Sequence, residues 1–114
     1  MGTHKHIRNI LSEHLEKPDE CYTIVSMPEF LAEGCAIQNL LYPDRVVIGT
    51  TTDQNGKDAF ELLKGLYTNF DTQFVHVKTA SSELGKLFAN AMLAQRISSI
   101  NSMSELCEIV GAST

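Results

Sequence analysis

A single uninterrupted run decides most of what this chain can build. From Ser81 or Ser82 to about Val110 there is no proline and only one glycine, Gly85. Ser81 is a good N-cap, since its hydroxyl accepts one of the orphan N–H groups of a first turn. Glu83 suits the positive end of the helix dipole, and Gly111 is a natural left-handed stop. The expected helix is roughly 45 Å long at ~1.5 Å per residue. The chain has 114 residues, enough for one small domain with one modest core. Such a domain cannot cover a helix of that length, so the helix is expected to bridge to something outside these residues.

The upstream pattern alternates. Ile7, Ile10, Leu11 and Leu15 share one face of a 3.6-residue period, which predicts a helix over 7–15. Lys17-Pro18-Asp19 ends it, because the residue before proline is pushed out of the helical region. Tyr22-Thr23-Ile24-Val25 is β-branched and aromatic and predicts a strand, closed by Pro28. Glu29 to Leu41 has no clean period and predicts a loop with a turn of helix. Arg45 to Gly49 predicts a second strand, and its continuous apolar run suggests burial on both faces. Asp53-Gln54-Asn55-Gly56 is capping chemistry ahead of a helix from about Lys57 to Asn69, and Gln73 to Lys78 is a third strand. Strands alternating with helices indicate an α/β layer with a mostly parallel sheet.

Composition narrows the partners. Nine Lys and Arg against fourteen Asp and Glu leave a net charge of −5, a poor basis for non-specific nucleic-acid binding. No apolar run approaches the ~20 residues that span a bilayer, and the first residues lack the apolar stretch of a secretory signal. The expected compartment is the cytosol, with Cys21, Cys35 and Cys107 as free thiols. None lies in Cys-x-x-Cys, so no zinc site is expected. No Gly-x-Gly-x-x-Gly, P-loop or Gly-x-Ser-x-Gly is present.

Two constellations carry chemistry. Pro28-Glu29-Phe30-Leu31-Ala32-Glu33-Gly34 follows a strand, and ligands in parallel α/β sheets bind outside the carboxyl ends of strands. Glu29 and Glu33 fit an acid/base group or a ribose-orienting carboxylate, or simply two solvated loop acids. Lys86 and Asn90, four residues apart on the long helix, share one face, and Asn101 falls on it three turns later. A lysine and a neutral donor suit a developing oxyanion; the bland alternative is a solvated stripe. Leu93 and Ile97 on the same face predict partial burial, which favours a functional role. His4 and His6 read as a disordered tail, His76 as a satisfied structural residue, and Arg96 as either an ion-pair partner or a contact to another protein.

The segments Val25-Ser26-Met27-Pro28-Glu29-Phe30-Leu31-Ala32-Glu33-Gly34, Pro43-Asp44-Arg45-Val46-Val47-Ile48-Gly49 and the run from Ser81 to Ser102 closely resemble UDP-glucose 6-dehydrogenases of the animal type, in the UDP-glucose/GDP-mannose dehydrogenase family. The resemblance covers roughly Ile7 to Ala112. Sister enzymes acting on GDP-mannose or UDP-N-acetyl sugars look different around the proline-glutamate motif. The fold it implies is α/β: the second half of a Rossmann-like, mostly parallel sheet followed by a long central helix. The expected division is a partial NAD-binding domain over 1–80, then over 81–114 a connecting helix leading towards a dimerisation domain.

What the resemblance implies for function is NAD-dependent, two-step oxidation of UDP-glucose to UDP-glucuronate through a cysteine thioester. Glu29 would act on water in thioester hydrolysis. Phe30, Leu31, Ala32 and Glu33 would line the UDP-glucose site, Glu33 also approaching NAD. Lys86 would stabilise the oxyanion and Asn90 would bond the reacting sugar. Cys21, Cys35 and Cys107 do not match the family's nucleophile, so none is assigned. Met27 stands where asparagine is usual and Gly85 where serine is common. Ser113-Thr114 replace an Asp-Val, and Met1 to His6 match nothing, as though both ends were cut from a longer frame.

Three readings follow. The chain is a dehydrogenase sequence that is inactive alone, or an interaction module that docks onto a full-length dehydrogenase or self-associates, or a truncated product without a stable fold.

Overall fold

The computed structural model describes residues 2–17 and 22–113. The expected stop at Pro18-Asp19 and the thiol of Cys21 lie outside the described residues. The elements are α1 (Thr3–His14), α2 (Ala36–Leu41), β1 (Arg45–Thr50), α3 (Gln54–Leu66), β2 (Gln73–Lys78) and α4 (Thr79–Val110).

β1 and β2 pair in parallel, Arg45 opposite Gln73 through Thr50 opposite Lys78. Side chains alternate across a strand, and each face meets a different helix. The even-numbered face lies under α3, where Phe60 stacks on His76 with centroids 4.1 Å apart and Tyr67 meets Phe74 edge-on at 6.2 Å. Val46, Ile48 and Thr50 are buried on this side. The odd-numbered face receives the start of α4, which Gly49 admits closely: a Cβ there would overlap Ser82. His76 is indeed satisfied, its Nε2 lying 2.7 Å from the Thr50 hydroxyl.

The expected third strand does not form. Among the described residues this segment's ladder contact is one antiparallel bridge between Ser26 and Gly49. Continuing it upstream would set Thr23 and Ile24 against Thr52 and Thr51, where the chain already turns into α3. Continuing it downstream would need the N–H that Pro28 lacks. Both-face burial of β1 is also incomplete: Val47 is only half-buried and Val75 beside it is exposed.

Helix α3 begins three residues earlier than expected because Asp53 is itself the N-cap, accepting the Gly56 N–H at 2.8 Å. That bond and the Thr51 hydroxyl hold the Asp53 carboxyl below the usual carboxylate range. Helix α4 starts at Thr79, directly after β2, so Ser81 is not its cap and Ser82 is buried in its first turn. It ends as expected. Gly111 adopts φ 73°, its N–H reaches the Glu108 carbonyl and that of Ala112 the Cys107 carbonyl at 2.9 Å; these are the two bonds of a Schellman stop.

The long helix has 32 residues, and every residue from 90 to 103 is exposed. The molecule accordingly measures 69 × 34 × 24 Å. Partial burial of Leu93 and Ile97 is not found; they are 59% and 62% exposed. The expectation failed because the sheet is two strands wide and α4 leaves it after its third turn. His4 and His6 are not a loose tail but part of α1, and no helix of the described residues is long and apolar enough to cross a membrane.

Candidate functional site

The bridge at Ser26 fixes where the acidic loop departs. Its N–H and C=O both bond Gly49, at 2.9 and 2.8 Å. From there the chain runs through Met27 and Pro28 to Glu29 and Phe30, beside α4. Downstream, the Ala32 N–H donates to Asn39 Oδ1 at 3.0 Å, and Gly34 turns the chain with φ 84°. A hydrogen bond at each end thus holds the segment Glu29-Phe30-Leu31 in place.

Lys86 comes to it from the other side. Its Nζ lies 5.0 Å from the centroid of the Phe30 ring, a cation resting on an aromatic face. Below this contact opens a cleft of about 430 Å³ on the odd-numbered face of the sheet. Phe30, Gly85 and Ala89 wall it, Val47 and Val75 floor it, and Asn39, Asp44 and Arg45 add polar groups. An apolar floor with a few polar groups at the rim is the usual make-up of a small-molecule site.

The structure therefore brings together Phe30 and Lys86, with Glu29 adjoining through the chain. Glu29, Leu31, Ala32 and Glu33 are exposed on the loop, Lys86 is half-buried and Asn90 is exposed one turn further on. Among the described residues Glu29 and Glu33 make no ion pair, so their carboxylates are available to a ligand. Asn101 is not part of the cleft; eleven residues beyond Asn90, it lies roughly 16 Å along the helix.

Several residues here were not singled out in the sequence. Asn39 carries no motif, yet its side chain braces the loop. Ser82 has the same chemistry as Ser81 beside it, and of the two only Ser82 faces inward. Glu83 suits the dipole of its own helix by position, but its carboxylate accepts the N–H groups of Gly2 at 2.7 Å and His4 at 3.1 Å, at the start of α1. Those bonds lower its pKa to about 2. The Gly2 N-cap has no side-chain acceptor to offer, so the first turn of α1 takes its acceptor from elsewhere.

The departures from the family pattern also have places. The Met27 sulfur lies 4.0 Å from the Tyr67 hydroxyl, against the end of α3. Gly85 has nothing within 4 Å of where a Cβ would sit, and its bareness widens the cleft. Cys35 and Cys107 are free thiols, and neither lines the cleft.

The structure is a parallel α/β unit with a cleft between the Glu29 loop and the lysine-bearing helix. The sequence matches two models of one family over most of its length: the NAD binding domain of the UDP-glucose/GDP-mannose dehydrogenase family over residues 1–71, and the central domain of the same family over residues 80–114. The chain belongs to that family. The first match begins at residue 1, so Met1 to His6, expected to match nothing, lie within it.

The chain is 47% identical over 108 residues to UDP-glucose 6-dehydrogenase 2 of Oryza sativa subsp. japonica, covering 93% of this chain and 22% of that protein. It is 52% identical over 99 residues to UDP-glucose 6-dehydrogenase of Drosophila melanogaster, covering 85% of this chain and 21% of that one. Among solved structures, a UDP-glucose dehydrogenase from Pyrobaculum islandicum superposes with a TM-score of 0.71 at 34% identity, over 79% of this chain and 20% of that chain. The chain thus spans about a fifth of the length of the relatives it matches.

Proposed function

We propose that these residues are the sugar-nucleotide half-site of an NAD-dependent UDP-glucose 6-dehydrogenase. In that reading, residues 1–80 are the second half of the NAD-binding Rossmann-like domain and residues 81–114 the helix leading towards a dimerisation domain. The observation that carries it is the Lys86–Phe30 contact at 5.0 Å, because it joins the two family motifs at one cleft. The names of the relatives supply UDP-glucose as the substrate.

The roles follow from residue chemistry. The Lys86 ammonium is a point charge held over the ring of Phe30, which walls the cleft, and from there it stabilises an oxyanion forming on the substrate. Asn90, one turn on, is a neutral donor for a sugar hydroxyl. Glu29 is a carboxylate without an ion pair among the described residues, suited to take a proton from water during hydrolysis of an acyl intermediate. Phe30, Leu31, Ala32 and Glu33 border the substrate, largely through backbone groups. Glu33 also reaches towards NAD.

NAD itself accepts hydride in such a reaction. Of an NAD site the described residues offer Glu33, an exposed carboxylate that fits a ribose hydroxyl. The sequence holds no glycine-rich turn to cradle a pyrophosphate, so these residues do not make a complete dinucleotide site. Placement in the cytoplasm is part of the same reading.

Titration of the 15N-labelled chain with UDP-glucose tests the proposal. Shifts confined to Phe30–Glu33 and Lys86–Asn90, and lost in Lys86→Met, are expected. Shifts elsewhere, or none, would sink it. A second reading, docking onto a full-length dehydrogenase, is favoured by the exposed Leu93, Ile97, Ile100 and Met103 of α4. It predicts co-elution with such an enzyme and a change in that enzyme's activity.

A further inference from the structure

We infer that Ser82 is a positioning residue: its buried hydroxyl clamps the first turn of α4 to Ser26, the residue from which the Glu29 loop departs, and so sets Lys86 against Phe30. This deepens the proposed function and rests on that reading for its meaning in catalysis.

Ser82 is 1% exposed, although serine is ordinarily a surface residue. Its hydroxyl donates to the Ser26 carbonyl at 3.0 Å and accepts from the Ser26 hydroxyl at 3.2 Å. Ser26 is itself held to Gly49 through both backbone groups. Gly49 leaves no slack, since a Cβ there would overlap Ser82 and lie 3.0 Å from the Thr79 Cα. Three chain segments therefore meet at one tight point: the loop entry, the end of β1 and the start of α4.

The two walls of the cleft are both referenced to that point. Lys86 lies four residues after Ser82, one turn up the same helical face. Glu29 and Phe30 lie three and four residues after Ser26. A small shift or rotation at the helix start is carried to the Lys86 amine by a rigid helix, and a shift of Ser26 is carried to Phe30 by a short loop. Positional errors of about 1 Å in a site weaken it markedly. The hydroxyl pair thus aligns the site without touching a ligand.

The 114-residue chain tests this through two readouts, the nuclear Overhauser contact between the Phe30 ring and the Lys86 side chain, and the affinity for UDP-glucose. Both are read in the parent, Ser26→Ala, Ser82→Ala and the double variant, alongside urea midpoints. Ser82→Ala removes both hydroxyl bonds, so it is expected to lose the Phe30–Lys86 contact and weaken UDP-glucose about tenfold. Ser26→Ala removes one, with a loss of about threefold. The double variant should be no worse than Ser82→Ala, because that substitution already removes everything the pair shares.

A folded Ser82→Ala chain that keeps the contact and the parent affinity overturns the inference. Should Ser82→Ala unfold the chain, Ser26→Ala decides, and an unweakened contact there overturns it. If the parent chain shows no UDP-glucose shifts, the proposed substrate falls. The positioning role is then judged on the ligand-free Phe30–Lys86 contact alone, lost in Ser82→Ala if it is right and kept if it is wrong.

Discussion

The carboxylate of Glu83 accepts the backbone N–H of Gly2 at 2.7 Å, across 81 positions of sequence. Its other oxygen takes the N–H of His4 at 3.1 Å and lies 3.2 Å from the His4 ring. The first N–H groups of a helix have no partner within it, and a negative charge there also meets the positive end of the dipole. Helix α1 buries none of its residues. Its start depends on this Glu83 cap, and further along the Tyr22 hydroxyl donates to the Arg8 carbonyl at 3.3 Å.

That dependence sets a pH response. The Glu83 carboxyl ordinarily titrates at 4.5 and is lowered to about 2, chiefly by the Gly2 N–H and then the His4 N–H. A lowered value means the folded state favours the ionised form. Its contribution is complete above about pH 4.5 and is lost as pH falls towards 2. Hydrogen exchange at the first-turn amides of α1 should therefore quicken, relative to its chemical rate, between those limits. In Glu83→Gln it should be fast throughout and lose that pH step. An unchanged profile in Glu83→Gln would falsify the tether. Asp53 is lowered too, so α3 provides an internal comparison that Glu83→Gln leaves untouched.

Two glycines predict opposite outcomes for one substitution. Gly49→Ala drives a methyl into Ser82 and the Thr79 backbone, so it should destabilise the chain by about 1–3 kcal/mol, as overpacking does. Gly85→Ala adds a methyl with nothing within 4 Å, on a helical residue. It should stabilise by about 0.5–1 kcal/mol, the difference in helix preference. Urea midpoints of the two variants against the parent check the pair; equal signs would contradict the packing described.

How much of this was legible beforehand varies by physical cause. Locally determined features were readable: β2 falls on Gln73–Lys78 as expected, and the Gly111 stop works through a conformation only glycine adopts freely. Features set by distant contacts were not. The 22–25 segment has strand chemistry, but its neighbours in space are a turn and Pro28. Ser81 has capping chemistry, but β2 runs straight into α4 and leaves Ser81 inside the helix. For the cleft, the loop and the lysine-bearing turn stood out by residue type and family pattern. Ser82 and Glu83 escaped because their partners lie 56 and 81 positions away, whereas Asn39 braces the nearby Ala32 but belongs to no motif.

The 114 residues by themselves should not oxidise UDP-glucose. In the proposed reading Lys86 and Glu29 supply charge stabilisation and proton transfer, but the sequence contains no glycine-rich dinucleotide turn, and no cysteine among the described residues lines the cleft. Hydride needs an acceptor held against the sugar, and an acyl intermediate needs a nucleophile. Absorbance at the NADH band after mixing chain, UDP-glucose and NAD should stay at the level of the protein-free control. Production of NADH that tracks chain concentration and disappears in Lys86→Met would contradict this.

The far half of α4 offers a contrast between stability and association. Ile97 and Ile100 are 62% and 64% exposed, on a stretch where every neighbour from 90 to 103 is exposed as well. Polar replacement of such residues changes monomer stability little, within about 0.5 kcal/mol. Exposed apolar side chains gathered along one rod nevertheless favour whatever covers them. Ile97→Ser with Ile100→Ser should therefore leave the urea midpoint of dilute chain nearly unmoved while lowering its apparent mass at high concentration. Light scattering across a dilution series separates the two effects. A large drop in the midpoint of dilute chain would mean that this half of the helix is already covered, and that its exposure along the rod is not the state of the protein in solution.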